Sequence, residues 1–337
     1  MEQKTAILIF NVGTPESSTT SDVRKYLSEF LNDKRIIDLP GFLRKILVNF
    51  IIVPFRAPKS AKIYRKLWTE KGSPLLVHGL SLKEKLQQKA GNGYIVEFAN
   101  SYQQPNIKEI TDRILAHGVS RIIVFPLFPQ YSGSTTGSGF ERFMTQISSH
   151  YNIPAVSTIL QYFNDPGYTG ALASLIRKYN FEQYDHLLMS YHGLPLKMVN
   201  KAHNGNTCDQ FNCTAETNSQ NVFCYQASCY ATSRLLAKEL NLDESRYSVS
   251  FQSRISRNWL LPFTDETIVR LARDGKKKLL VVCPSFTADC LETTIEVGHE
   301  YRDLFLQNGG NEFSLVESLN DNGIWVDAIW KMVQQFN

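Results

Sequence analysis

Apolar and polar positions along this chain alternate between two rhythms. Residues 5–10 form a continuous strand-like apolar run that stops at Asn11-Val12-Gly13-Thr14-Pro15. A helical pattern then opens at Ser21-Asp22, with Val23, Tyr26, Leu27 and Phe30 on one face. A buried strand feeding a Gly/Pro turn and then an amphipathic helix is the unit of an α/β protein. The unit recurs: residues 94–98 predict a strand, and residues 107–117 a helix closed by Gly118. Residues 121–128, 187–191, 248–252 and 278–283 predict further strands, with helical stretches such as 230–240 between them. Strands separated by helices imply parallel sheets covered on both faces. The rhythm restarts after Asp165-Pro166-Gly167, which places a lobe boundary near residue 165. No short repeat or low-complexity segment interrupts it.

One stretch departs from this rhythm. In residues 39–58, Leu43, Ile46, Leu47, Phe50 and Ile51 fall at helical spacing, with Arg44, Lys45 and Arg56 around them. The plainer reading is an amphipathic helix packed on its own lobe. The sharper one is an apolar lip that touches a membrane surface or a hydrophobic ligand.

Length and composition narrow the class. A chain of 337 residues suits two lobes of about 150 residues better than one core. Apolar residues at 43% and charged residues at 20% are ordinary for a soluble globular protein. A formal net charge of +4 is too weak to argue for nucleic acid, and Lys276-Lys277-Lys278 reads as a solvated turn before a strand. The sequence from Met1 lacks the charged, apolar and small-residue pattern of an export signal, and no run approaches the roughly 20 apolar residues of a spanning helix. The expectation is a cytoplasmic protein, peripheral to the inner face of a membrane if the lip touches lipid.

Four segments carry residues suited to chemistry. His192, in Ser190-Tyr191-His192-Gly193-Leu194-Pro195, follows the apolar run 187–189. Residues just past a strand's carboxyl end line the ligand crevice of an open parallel sheet, and a histidine there can take protons or bind metal. A histidine that merely caps its strand is an equally good reading. The second segment runs from Asp289 through Cys290-Leu291-Glu292 to Glu300. Asp289 with Glu292 has the form of a helix-start capping pair. Glu292, Glu296 and Glu300 stack on one helix face, and His299 lies on the same side. On a solvated face their repulsion is trivial. On a buried face it must be offset by a cation or by protons.

The third segment, residues 125–138, ends a strand in a loop dense in Gly, Ser and Thr, including Tyr131 and Ser132. Such loops offer N–H groups and hydroxyls to an anion, though a plain strand-to-helix connection has the same composition. The fourth is Cys208-x4-Cys213-x10-Cys224-x4-Cys229, within a polar insert over 203–229. Four thiolates in a short loop suit an Fe–S cluster or zinc. The spacing is wider than the usual zinc ribbon, and four free thiols is the plainest alternative.

Together these segments resemble the ferrochelatase family. The matching stretches are Ile9-Phe10-Asn11-Val12-Gly13-Thr14-Pro15, Gly72-Ser73-Pro74-Leu75, residues 125–136 and 190–195, Gln252-Ser253 with Trp259-Leu260 and Pro262, and residues 284–296. They stand in the family's order and span nearly the whole chain. His-Gly-Leu-Pro and Asp-Cys-Leu-Glu-Thr are specific as a pair.

The resemblance implies two similar Rossmann-like α/β lobes, chelatase-like, over 1–165 and 166–318, with an active-site cleft between them. It also implies a C-terminal helix within 319–337 that packs back on the first lobe. The implied reaction inserts Fe2+ into protoporphyrin IX to make protohaem, with coproporphyrin III or another tetrapyrrole chelation as the alternative. His192 matches the active-site histidine and Glu292 the glutamate facing it, and both are expected to serve catalysis and to ligate iron. Glu296 and Glu300 match an acidic metal path. Arg65, Lys66, Ser73, Tyr131 and Ser132 match propionate-holding positions, and Trp259 belongs to the porphyrin-binding set. Residues 39–58 match the apolar lip. Two departures stand out: His299 where an apolar residue is usual, and the cysteine insert. Some members carry a [2Fe–2S] cluster, in some bacteria on internal cysteines, and Cys208, Cys213, Cys224 and Cys229 resemble that kind. The expected partners are a porphyrin, a membrane surface touched peripherally, and a second copy of the chain.

Overall fold

The structure, a computed structural model, describes residues 4–336; Met1–Gln3, part of the start read above for an export signal, and Asn337 lie outside them. The chain divides into two compact units. One runs to Phe128, resumes at Gly133–Leu160 and ends with the stretch from Asp321; the other holds Pro129–Ser132 and Gln161–Asn320.

In the first unit, β1 (Thr5–Asn11), β2 (Tyr94–Asn100), β3 (Arg121–Pro126) and β4 (Ala155–Thr158) form one parallel sheet in the order β2-β1-β3-β4. In the second, β5 (His186–His192), β6 (Tyr247–Gln252), β7 (Lys278–Val282) and β8 (Glu312–Leu315) repeat that order as β6-β5-β7-β8, again parallel. The central strands β1 and β5 are buried almost end to end, as strands covered on both faces must be. Helical residues close the cores: Ile107, Ile110, Ile114 and Phe143 pack on β1 and β3, and Ile268, Leu271, Val297 and Phe305 on β5 and β7. The edge strands β4 and β8 have four residues each, too short to show as runs in the sequence.

Strand order fixes where a ligand crevice forms. In a doubly wound sheet the connections leave in opposite directions on either side of the first strand, and the crevice opens at that reversal. In the second unit the reversal lies at the carboxyl ends of β5 and β7. His192 closes β5, and the segment leading to Glu292 follows β7.

Residues 39–58 fold differently from the plainer reading. A short helix (Gly41–Ile46), a π-helical stretch (Leu47–Ile52) and a longer helix (Val53–Leu67) run on end to end. The buried residues are Val48, Val53, Ala57 and Ala61, which pack on Val23, Tyr26 and Leu27 of the helix Thr20–Leu31. Most of the face read at helical spacing is turned out: Phe50 is 75% exposed and Leu43, Ile46 and Ile51 are exposed too, and Phe42 and Phe55 beside them are 74% and 73% exposed. The π-helical turn shifts the register, and two alanines allow the close approach that the larger residues would block.

The C-terminal helix Gly323–Gln334 belongs to the first unit and packs on the helix Pro74–Ala90. Trp325 is fully buried with its ring edge on Phe125. Just before this helix, the Asp321 carboxylate accepts from Ser81 Oγ at 2.7 Å and pairs with Lys85, whose Nζ also donates to the Asp321 carbonyl at 2.8 Å. Burial alone would raise the Asp321 carboxyl, but Lys85 and Ser81 outweigh it and pull it down to about 2. A depressed carboxyl stabilises the fold above its unfolded pKa and loses that contribution as pH falls through the folded value. The shift corresponds to about 2 kcal/mol. Asp321→Asn should therefore lower the melting temperature at neutral pH, and the gap to wild type should close as pH falls from 3.8 towards about 2. Thermal scans of both proteins check this; a gap that is the same at every pH contradicts it.

Candidate functional site

His192 ends β5 in register with Gln252 at the end of β6. Its backbone N–H donates to Ser285 Oγ at 3.1 Å, and its carbonyl accepts from the Tyr225 phenol at 2.9 Å. Its ring Nδ1 lies 2.6 Å from the Gly193 carbonyl, which can only accept, so the proton sits on Nδ1. Nε2 of the neutral ring is left with its lone pair, free to take a proton or a metal. Trp259 and Phe286 flank the half-buried ring at centroid distances of 6.5 and 6.1 Å.

Gly193 is a steric requirement here. A Cβ at that position would stand 2.7 Å from the Gln252 carbonyl oxygen, the acceptor of the Gly193 N–H at 2.8 Å. The following residues pair with the loop after β6. Pro195 bridges Trp259, and Leu196 and Leu260 donate to the carbonyls of Asn258 and Leu194. That pairing sets Trp259 beside the imidazole.

The glutamates stand on a π-helical segment, Glu292–Tyr301. Such segments are rare and gather at functional sites. Its bonds span five residues rather than four, so a residue lies over its fifth neighbour. Tyr301 accordingly donates its phenol to Glu296 Oε1 at 2.7 Å. Ser253 supplies two more donors to the same carboxylate: its backbone N–H to Oε1 at 2.8 Å and its hydroxyl to Oε2. Ser253 achieves this in a left-handed conformation, φ 63°, that serine rarely adopts. Glu292 is half-buried, and its carbonyl accepts from Gln252 Nε2 at 3.1 Å. Glu300 and His299 are exposed at the outer end of the segment. Asp289 does not cap this helix. Its carboxylate accepts from Ser318 N and Asn320 Nδ2, and Cys290 N donates to Thr293 Oγ1 instead.

The second unit therefore gathers His192, Trp259, Glu292 and Glu296, and leaves Glu300 exposed beyond them. In the same unit, Tyr131 packs its ring edge on Phe223 at 5.3 Å and Ser132 is buried. In the first unit, Arg65 and Lys66 are exposed in the last turn of the helix Val53–Leu67. Ser73 is buried at the head of the next helix, and its hydroxyl already accepts from Thr14 Oγ1 at 2.9 Å.

The cysteine insert departs from the four-cysteine expectation. Cys208, Cys213 and Cys224 converge with His203, their ligand atoms all within 4.8 Å of one another, and all four residues are buried. Cys229 is not in the group. It lies five residues beyond Cys224 on the helix Tyr225–Glu239, about 140° around its axis, and is fully buried beside Tyr225 and Tyr191. A [2Fe–2S] cluster on Cys208, Cys213, Cys224 and Cys229 does not fit this arrangement.

A model of the ferrochelatase family matches residues 4–336. The chain belongs to the ferrochelatase family. Ferrochelatase of Coxiella burnetii is 39% identical over 335 residues, covering 98% of this chain and 94% of that one. Ferrochelatase of Legionella pneumophila is 40% identical over 330 residues, covering 98% of each. The family is one of metal chelatases, lyases of haem biosynthesis that act on iron. Among solved structures, SirB from Bacillus subtilis with Fe3+ is similar at a TM-score of 0.55 and 10% identity, over 99% of this chain and 95% of that one. The cobalt complex of sirohydrochlorin chelatase SirB from Bacillus subtilis subspecies spizizenii is similar at 0.51 and 11%, with the same coverage. At such identity the likeness concerns the fold alone.

Several residues that surround His192 and Glu296 carry no signal on their own in the sequence. Tyr301 becomes a partner of Glu296 only because the helix is of the π form, which no periodicity announces. Ser253 and Gln252 were visible as a polar pair ending a strand, but their bonds to Glu296 and Glu292 cross about 40 residues. Ser285, Phe286 and Tyr225 act on His192 through backbone and ring contacts that composition does not reveal.

Burial raises the Glu296 carboxyl above its ordinary 4.5; Ser253 and Tyr301 oppose that, Glu292 adds to it and His192 works against it. A carboxyl raised on folding binds its proton more tightly in the folded chain. It thus contributes stability below 4.5 that is lost as pH rises from there through the folded value. Glu296→Gln removes that dependence. The melting temperature of wild type relative to the variant should fall as pH rises from about 4 to about 7. A difference that stays constant, or moves the other way, contradicts the assignment.

Proposed function

We propose that this ferrochelatase-family chain inserts Fe2+ into protoporphyrin IX, with His192 and Glu292 as the reacting pair. The observation that carries the reading is one compact arrangement within the second unit. An imidazole with an open Nε2 ends β5, and the neighbouring π-helical segment carries half-buried Glu292 and, one turn on, the donor-held, half-buried carboxylate of Glu296.

The chemistry demands such a set. A free-base porphyrin is flat and holds two N–H protons; both must leave as Fe2+ enters, so the product is the neutral ferrous macrocycle and two protons. A site that fits a buckled ring better than a flat one lowers the barrier to metal entry. His192 Nε2 accepts the pyrrole protons one at a time, releasing the first to solvent before it takes the second. Glu292 delivers the metal, and Glu296 and Glu300 form the acidic path between it and solvent. Trp259 and Phe286 supply apolar surface to the ring. Tyr131 and Ser132, in the same unit as His192, are the proposed propionate contacts.

Protoporphyrin is favoured over coproporphyrin by the exposed apolar lip, since a ring with two carboxylates and two vinyl groups is less polar than one with four carboxylates. Among the described residues no helix is long and apolar enough to cross a membrane. With Phe42, Phe50 and Phe55 turned outward, the lip suits contact with a bilayer surface from the cytoplasmic side.

Anaerobic insertion assays with both porphyrins, and with Fe2+ against Co2+, test the assignment. His192→Ala should lower Fe2+ insertion by at least about a hundredfold while porphyrin binding, read by fluorescence quenching, survives. Near-normal turnover in that variant would end the role given to His192, and faster coproporphyrin turnover in wild type would reverse the substrate choice. Wild-type protein should also sediment with anionic lipid vesicles, and replacing Phe42, Phe50 and Phe55 together by Ser should abolish this. Equal sedimentation of both proteins would remove the lip from the account.

A further inference from the structure

The insert between β5 and the helix Tyr225–Glu239 has almost no apolar core of its own. Its larger apolar side chains Val222 and Phe223 are about half exposed, at 47% and 52%. It contains short helical turns, Lys201–His203 and Cys208–Phe211, and no strand. Asn204 and Asn212 take left-handed backbone, φ 54° and 53°, and fold the chain back on itself. The buried Asn221 side chain donates to the carbonyls of Phe211 and Glu216 and accepts from Asn218 N, tying the loop across. At the centre of these ties are three sulfurs and an imidazole. Phe211 stacks flat on the His203 ring at 4.3 Å, which sets that ring's plane. His203 Nδ1 is buried with no hydrogen-bond partner, and Nε2 is the nitrogen that faces the sulfurs.

The spacing of the ligand atoms selects the occupant. Cys208 Sγ lies 3.6 Å from Cys224 Sγ, and Cys213 Sγ lies 3.4 Å from His203 Nε2. Tetrahedral zinc with bonds of about 2.3 Å to sulfur and about 2.0 Å to nitrogen has ligand-to-ligand edges of about 3.5–3.8 Å. A two-iron cluster instead places two ligands on each iron with sulfides between. Ligands on opposite irons then stand farther apart than any pair here. All four residues are buried, so no coordination position is open to a reactant. That is the form of a structural site.

We propose that His203, Cys208, Cys213 and Cys224 bind one tetrahedral Zn2+ that forms the core of the insert. Binding converts three thiols to thiolates and releases three protons, with no change of oxidation state. Cys229 takes no part. The proposal is independent of the roles given to His192 and Glu292.

The test is metal analysis of the full-length protein purified under reducing conditions, joined to Co2+ substitution. One zinc per chain is expected. Titrating apoprotein with Co2+ should give a strong near-ultraviolet thiolate-to-cobalt band and intense visible bands of tetrahedral cobalt, saturating at one ion per chain. Cys213→Ser should weaken Co2+ binding at least tenfold, Cys229→Ala should keep one ion with the same spectrum, and His192→Ala should also keep it, separating this ion from iron at the proposed active site. Two irons and two acid-labile sulfides per chain, lost in Cys229→Ala, would overturn the proposal. So would apoprotein that yields no thiolate-to-cobalt band. If Cys213→Ser fails to fold, the wild-type cobalt spectrum and the Cys229→Ala stoichiometry still decide.

Discussion

Gln252 and Ser253, at the carboxyl end of β6, hold both halves of the site. The Gln252 carbonyl accepts from Gly193 and so fixes the turn after His192. Its side-chain amide accepts from Ser190 Oγ at 2.7 Å and donates to the Glu292 carbonyl. One residue further, Ser253 puts its N–H and hydroxyl on the Glu296 carboxylate. Gln252 is 1% exposed, so an amide left unpaired there would lose about 1–3 kcal/mol. The left-handed backbone at Ser253 stores about 1–3 kcal/mol of strain. Such strain persists only where surrounding bonds over-determine the conformation, and here they do so by joining the histidine loop to the carboxylate helix.

That anchoring also explains how an acidic ladder can be partly buried. On a solvated helix, like charges four apart repel by only a few tenths of a kcal/mol. In a buried setting desolvation dominates, and Glu296 shows it: burial raises its carboxyl although three donor groups favour the charged form. The Tyr301 donor reaches Glu296 only through the five-residue spacing of the π-helical segment. A regular helix would carry that phenol off to the side. From Glu296 to Glu300 the ladder passes from a donor-held, part-buried position to an exposed one. In the proposed mechanism this is the gradient along which a cation sheds water going inward and protons regain it going outward.

The fold was legible where the physics is local. Buried parallel strands read as apolar runs, and β1, β3, β5, β6 and β7 follow those runs within one or two residues. Short edge strands did not, because the four residues of Ala155–Thr158 and Glu312–Leu315 carry neither a run nor a clear alternation. His192 stood out by its place just past a predicted strand and Glu292 by its acidic ladder on one helix face, and the pairing of the two came from the resemblance. What failed to show depended on register. The bond from Tyr301 to Glu296 follows a π-helical stretch, and helical spacing at 3.6 residues per turn misassigns faces across such stretches. The exclusion of Cys229 and the inclusion of His203 were hidden for a different reason. Spacing along the chain names the sulfurs, but a helix face decides which of them turn inward.

The insert can be understood through its attachment points. It leaves the histidine segment at Pro195 and Leu196, which are themselves paired with Trp259 and Asn258. It rejoins the fold at Cys224, directly before Tyr225, whose phenol holds the His192 carbonyl. Ordering a loop of this kind costs about 1–2 kcal/mol per residue in backbone entropy, and half-exposed Val222 and Phe223 return little of it by burial. The polar ties among Asn221, Phe211 and Glu216 offset some of the rest, but hydrogen bonds of that kind contribute only about 1 kcal/mol each. In the proposed site the balance comes from the zinc ion that joins His203 to three cysteines. A loose insert would leave Tyr225 at the frayed start of its helix, and one of the bonds that fixes the backbone of His192 would go with it.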